Sequence, residues 1–310
     1  MLDTVTIDSI VDLALRGILI KPLLVIWALG LCFVRSRDDP ARAAFVYWKI
    51  VCPILALALL LFVGCDITEI IQDNLQNGLE LEFDTSSSDG QEINLLSNIN
   101  VRFYSVAVFI VCIADLLTQA CVVELGLGFL FCIQAGRTAL HSILRYAVLI
   151  VSFILFPLAV ASLGLINAEY TKLFNYLNSA DSITTFDPDA FDRGIKTAND
   201  LSTAFDVIIF VASVLLVGFS VYVFYACRRI PALKNSAVLL VVITLLSVLR
   251  YSYQVAYDAK WVIPDKPEPL NYGYIVDPIL LYWSFFVILV LIFVIGLRKR
   301  KGLWTTTNGV

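Results

Sequence analysis

Apolar runs about twenty residues long alternate with polar segments along this chain, and seven of them are long enough to cross a membrane as helices. A helix rises about 1.5 Å per residue and a hydrocarbon core is about 30 Å thick, so some twenty apolar residues suffice. The pattern predicts spans over 10–34, 44–64, 103–124, 143–166, 203–226, 236–257 and 274–297. The third run stays apolar from Leu125 to Cys132, which suits either a long tilted helix or a turn. Arg16, Lys21 and Pro22 interrupt the first, leaving open a surface helix before Arg16 and a shorter span from Gly17 onward. The acidic start, with Asp3, Asp8 and Asp12, lacks the basic region of a signal peptide, so this segment is read as a span.

The polar segments orient the bundle. Arg35, Arg37, Arg42, Arg137, Arg145, Arg228, Arg229, Lys234 and Arg298-Lys299-Arg300-Lys301 follow or flank the odd-numbered spans and face only Asp38 and Asp39. Acids dominate the segments after spans two, four and six. Cationic loops stay inside, so the expected fold is an all-α, polytopic seven-transmembrane helix bundle with its amino terminus outside and its carboxyl terminus inside. One domain, 1–301, carries outer loops at 65–102, 167–202 and 258–273, and 302–310 form a short cytoplasmic tail.

Local patterns fill in these loops. Ile67, Ile70, Ile71 and Leu75 recur at helical spacing, with Asn77-Gly78 as a stop, and Leu79 to Phe83 then alternate like a strand. Ser86 to Gly90 suit a turn, so Gln91 to Leu96 are expected to return as the second arm of a hairpin. Asp187-Pro188 reads as a cap and first residue of a helix that runs into span five. Pro264, Pro267 and Pro269 favour an extended course. At the inner end of span five, Cys227 is either a palmitoylation position or a small buried thiol.

Composition agrees with the class: 59% of residues are hydrophobic, 15% are charged and the mean hydropathy is +0.85. A soluble domain carries about a quarter charged residues. The net charge of −4 offers nothing to nucleic acid. His141 is the single histidine, which excludes zinc hydrolases and haem sites built on imidazole clusters. No lysine precedes Lys299 in span seven to hold retinal, and no phosphate-cradling glycine loop occurs. An aspartyl protease needs two aspartates at one depth, whereas Asp115 and Asp277 differ by about 10 Å on helical rise. Enzyme is therefore the weakest class, and no cofactor is expected.

Charge within hydrocarbon costs a few kcal/mol, so each such residue needs a partner or a wet cavity. Asp115 lies near mid-membrane, with Thr118 and Gln119 on its face. Ser247, Arg250, Gln254 and Tyr257 form a polar stripe on span six with Tyr253 beside it, and Asp277 enters span seven three residues after Tyr274. These positions predict an Arg250–Asp277 ion pair below the outer loops, with Tyr253, Gln254 and Tyr274 lining the same cavity. Lys21 is the expected partner of Asp115 if the first span begins near Ile10, whereas a start near Gly17 leaves Asp115 protonated or hydrated. Lys49 or Arg145 is the expected partner of Glu124, with Lys49 alternatively reaching the interface. The ligand-contacting set is then Asp115, Gln119, Arg250, Tyr253, Gln254, Tyr274 and Asp277.

The stretch Leu249-Arg250-Tyr251-Ser252-Tyr253-Gln254, followed after a proline-rich segment by Tyr274-Ile275-Val276-Asp277, resembles fungal seven-span orphan proteins, both receptor-like ones and the lipid-translocating-exporter-like family. In the latter, an Arg near the end of span six and a Tyr-x-x-Asp early in span seven recur. Arg250, Tyr274 and Asp277 match that spacing, while Gln254 and Tyr257 replace a basic residue and an acid. The expected function is non-enzymatic: receptor-like sensing of a small lipophilic ligand. Transport or handling of lipid comes next, then a structural role in a membrane complex. Membrane lipids are the expected partners, and the short inner turns and tail offer little surface to a cytoplasmic transducer.

Overall fold

Each apolar run forms a helix because a chain among lipid tails must satisfy its own backbone hydrogen bonds. The computed structural model describes residues 4–34, 40–81, 87–134, 139–178, 186–264 and 275–298. Among the described residues there is no strand, and seven helices are long and apolar enough to cross a membrane. In chain order the first six contain α1 (Thr4–Phe33), α2 (Ala44–Leu81), α3 (Ser87–Gln134), α4 (Ala139–Asn178), α5 (Pro188–Cys227) and α6 (Pro231–Tyr257), and the seventh span, Ile275–Leu297, ends in α7 (Ser284–Leu297). A 3-10 turn, Pro40–Arg42, precedes α2. Two π-helical turns matter below: Asp258–Val262 continues α6, and Pro278–Trp283 leads into α7.

Several helices outrun the apolar windows that predict them. The 48 residues of α3 rise about 72 Å, more than twice the thickness of a hydrocarbon core. Much of what reads in sequence as the outer loops 65–102 and 167–202 is therefore helix. The expected hairpin does not form: Leu79–Leu81 complete α2 and Gln91–Leu96 belong to α3, while Phe83 lies outside the described residues. The helical spacing of Ile67, Ile70 and Ile71 carries onward, and a short alternating run without a neighbouring strand cannot compete with hydrogen bonds made inside one helix. The start of α5 matches expectation. Asp187 Oδ1 accepts from the Ala190 amide at 3.2 Å, and Pro188 is the first helical residue. The first span is a single helix across Arg16, which overturns the alternative of a separate surface helix. Residues 265–274, with Pro267 and Pro269, and the tail from 299 lie outside the described residues.

Central α3 packs against α2, α4, α5 and α6, and α7 against α6, α1 and α2. Charge in the sequence names the two ends of the bundle: the basic end, near Arg42 and Arg298, and the acidic end, where α2 meets α3 and α4 meets α5. Toward the basic end the packing is tight. Trp48 is fully buried, stacks on Phe293 at 5.6 Å and donates from Nε1 to the Leu289 carbonyl at 2.9 Å. Gly128 lets α3 meet the chain before α2 so closely that a Cβ there would stand 2.2 Å from the Ala41 carbonyl oxygen. Arg42, counted in sequence among the interface cations, is wholly buried, lies 4.8 Å over the Phe45 ring and donates to the Gly296 carbonyl at 2.7 Å. It satisfies the carbonyl end of α7, where a helix favours positive charge. Cys227 is buried too, which favours the structural thiol over the modified one. On α4, Ile143, Tyr146, Leu149, Ile150 and Phe153 are exposed, an apolar flank that suits contact with lipid.

Candidate functional site

Toward the acidic end the bundle encloses a cavity of ≈ 290 Å³, to which all seven spans contribute. Its lining includes six ionisable side chains of opposite charge: Arg16 from α1, Asp115 from α3, Asp206 from α5, Arg250 from α6, Asp258 from the π turn after α6, and Asp277 at the head of span seven. Aromatic and small residues fill the gaps between them, among them Phe62, Tyr282, Ala159 and Ser162.

The deepest contact is a clamp between α3 and α6. Arg250 donates from Nη1 to Asp115 Oδ1 and from Nη2 to Oδ2 at 3.1 Å, and Tyr251 Oη donates to Oδ1 at 2.9 Å. Arg250 Nε reaches the Leu281 carbonyl at 3.0 Å, within the π turn before α7, and the guanidinium lies 4.5 Å over Phe285. A π turn disturbs the regular i to i−4 ladder, and here a side chain from another helix meets one of its carbonyls. Three spans are thereby tied at one guanidinium.

This geometry corrects the expected pairings. Arg250 bridges to Asp115 and not to Asp277, which instead accepts from Tyr253 Oη. The error came from depth. Measured from Tyr257, Arg250 lies shallower than Asp115, but helical structure continues to Val262. From there Arg250 is twelve residues in, about 18 Å, the same as Asp115 from Phe103. Lys21, the expected partner of Asp115, is exposed on α1. Glu124 takes Arg145, one of its two expected partners, through Nε at 2.5 Å and Nη2 at 2.6 Å, and Lys49 forms no ion pair among the described residues.

Of the predicted ligand-contacting residues, Asp115, Arg250, Gln254 and Asp277 line the cavity. Gln119 donates to Ser213 Oγ at 2.8 Å and joins α3 to α5, and Tyr253 acts through Asp277. Tyr274 lies outside the described residues. Three charged lining residues, Arg16, Asp206 and Asp258, escaped the sequence reading. Arg16, noted there only as an interruption, pairs with Asp12 at 2.6 Å and with Asp66 of α2 at 3.2 Å. The i, i+4 spacing of Asp12 and Arg16 was a usable signal, whereas Asp66 looked like a loop acid. Asp206 of α5 and Asp258 of the π turn line the same cavity, together with Thr203, whose buried hydroxyl has no hydrogen-bond partner. Asp206 was legible as an acid inside an apolar run; Asp258 was hidden by its assignment to a loop.

Two carboxyls that line one cavity repel each other when both are ionised.

These features define an all-helical protein with seven apolar helices, the build of an integral multi-pass membrane protein, with a charged cavity inside it. In comparison with known proteins, the chain matches no family model, no curated protein and no solved structure.

Proposed function

We propose that this is a receptor-like, non-enzymatic membrane protein that admits a small polar molecule to its cavity from the acidic end, which faces outward. One observation carries the reading: six ionisable side chains from separate parts of the chain converge on ≈ 290 Å³ enclosed by seven spans. Burying that much charge is costly, and a dry structural bundle gains more from apolar packing. The lining suits a polar ligand with its own charge better than the lipophilic one expected from sequence. Outward placement of the acidic end follows from the cationic turns at the other end.

Thermal unfolding of the full chain in lipid nanodiscs tests this. The panel is amino acids, primary amines and choline against sterols and fatty alcohols. Stabilisation by a polar member, lost on filling the cavity with Ala159→Phe, is expected. Stabilisation by lipophiles alone would overturn the polar reading, and a flat response to the whole panel would favour the scaffold.

A second reading, lipid handling, draws on a groove of ≈ 790 Å³ lined by α2, α3 and α4 and on the exporter-like segments around Arg250 and Asp277. Apolar residues such as Leu116, Leu149, Phe153 and Phe156 line it, and the Glu124–Arg145 pair supplies a polar wall. A photoactivatable phospholipid would label Phe153 and its neighbours selectively if lipid occupies this groove, and would label exposed α1 equally if the groove is only part of the bilayer contact.

A further inference from the structure

The positive groups around the cavity are already committed. Arg250 is held by Asp115 and by the Leu281 carbonyl, and Arg16 by Asp12 and Asp66. Lys260, on the same π turn as Asp258, is exposed with its ammonium 4.5 Å over the Trp261 ring. Asp206 and Asp258 line the same cavity, as does Thr203, whose buried hydroxyl is without a hydrogen-bond partner of its own. Asp258 is only 4% exposed and its Oδ2, buried in the wall of the cavity, accepts no hydrogen bond. A buried carboxylate oxygen without a donor is expensive, and a cation or a proton relieves it. The break to π-helix begins at this residue, with the Ile263 amide donating to the Asp258 carbonyl at 2.9 Å.

We propose that Asp206, Asp258 and the Thr203 hydroxyl form a site for one compact monovalent cation, an alkali ion or the ammonium head of a small amine, that exchanges with the proton shared by the two carboxyls. The exchange balances: the protonated pair binds one cation and releases one proton, with no other change in charge. Oxygen ligands from two carboxyls and a hydroxyl suit hard cations and ammonium alike. A cavity of ≈ 290 Å³ has room for a small hydrated ion or an ammonium head.

The other groups around the pair set its response to pH. Asp115, Tyr104 and Cys112 face the cavity from α3, Arg250, Tyr251 and Tyr257 from α6, Arg16 from α1, and Asp277 and Tyr282 from span seven; α4 contributes Ser162 and apolar residues. Asp115 is ion-paired with Arg250, Asp12 and Asp66 with Arg16, and Asp277 accepts from Tyr253, which leaves Asp206 and Asp258 as the cavity carboxyls with no ion pair among the described residues.

The inference rests on the cavity reading, and its test separates the two. The full chain in nanodiscs is titrated with sodium chloride, potassium chloride or methylammonium chloride, with N-methyl-D-glucamine chloride, too bulky for the site, keeping ionic strength constant. Sodium or methylammonium is expected to raise the unfolding temperature above the N-methyl-D-glucamine value, and which of the two does so identifies the source of the charge. Where the pair is protonated, the apparent cation Kd should weaken by about tenfold for each pH unit of acidification. In weak buffer, addition of the cation to the unmutated protein should release one proton per cation bound. Asp258→Asn and Asp206→Asn, which imitate the protonated acid, should each abolish the cation shift and the proton release.

Absence of both the shift and the proton release in the unmutated protein overturns the site. So does a shift of equal size in both Asn variants, which would place the cation elsewhere. If the variants fail to fold, proton release from the unmutated chain decides alone. A cavity that stabilises with amino acids but shows no cation-linked proton release keeps the binding reading and loses this one, whereas cation-linked release with no organic stabilisation does the reverse.

Discussion

The two ends of this bundle hold the same seven spans together by opposite means. Toward the basic end, helices meet through close steric fit: the Trp48 indole stacks on Phe293, Gly128 presses on the Ala41 carbonyl, and Arg42 is buried against the end of α7. Toward the acidic end, ion pairs join helices beside a cavity: Arg250 of α6 to Asp115 of α3, and Arg16 of α1, which also pairs with Asp12 on its own helix, to Asp66 of α2. Close packing excludes a ligand because interiors tolerate few voids. Charge clamps reach across space and so leave room. The basic end is therefore a closely packed frame, and the acidic end is where the bundle leaves a cavity.

The widest test of that contrast lies in the clamp. Arg250→Ala leaves Asp115 buried without its cation and is expected to cost about 3–5 kcal/mol of stability, read from reversible denaturant unfolding in mixed micelles. Replacing both partners together, as in the Arg250→Met, Asp115→Leu double variant, should recover most of that loss. A double variant as unstable as the single one would show that the Leu281 contact and the π turn, not the ion pair, carry the clamp. At the frame, Gly128→Ala is expected to cost about 1–3 kcal/mol, because backbone and not a flexible side chain stands in the way of the new Cβ. A loss of similar size to Arg250→Ala would mean that steric fit and buried charge contribute equally at the two ends.

How far this difference could be read in the sequence depended on range. Seven helices were legible because each apolar run carries its own signal, and the Asp187-Pro188 start is a local pattern too. Asp115 and Arg250 stood out singly as charges in apolar runs. Their partnership did not, because it depended on where α6 ends, and the π turn at Asp258 moved that end by five residues. The same turn took Asp258 out of the supposed loop and brought it to the cavity that Asp206 also lines, a meeting of residues 52 apart that no local spacing encodes. Frame residues such as Gly128 looked like ordinary members of an apolar run, since only the approach of Ala41 makes the missing Cβ necessary.

Smaller effects sharpen the comparison at the acidic end itself. Asp187→Ala removes the side-chain acceptor at the start of α5 and is expected to cost about 1 kcal/mol, visible as faster amide exchange at Ala190 and its neighbours and a modest fall in midpoint.

The smallest change is expected at Lys172, whose ammonium lies 2.6 Å from Glu169 Oε1 on the same helix, at i, i+3 spacing. On paper this contact matches the Arg16–Asp12 pair in length. Burial separates them: the Lys172 side chain is 64% exposed, against 11% for Arg16. Water already stabilises an exposed ammonium, and ordering its long stem offsets most of the attraction. Lys172→Ala should therefore shift stability by less than about 0.5 kcal/mol, and the shift should vanish at about 1 M salt, where screening acts within about 3 Å. The loss from Arg250→Ala should persist at that salt because ions do not reach the clamp. Equal salt dependence in the two variants would place both pairs in water, and the acidic end would then be an open vestibule in place of an enclosed cavity.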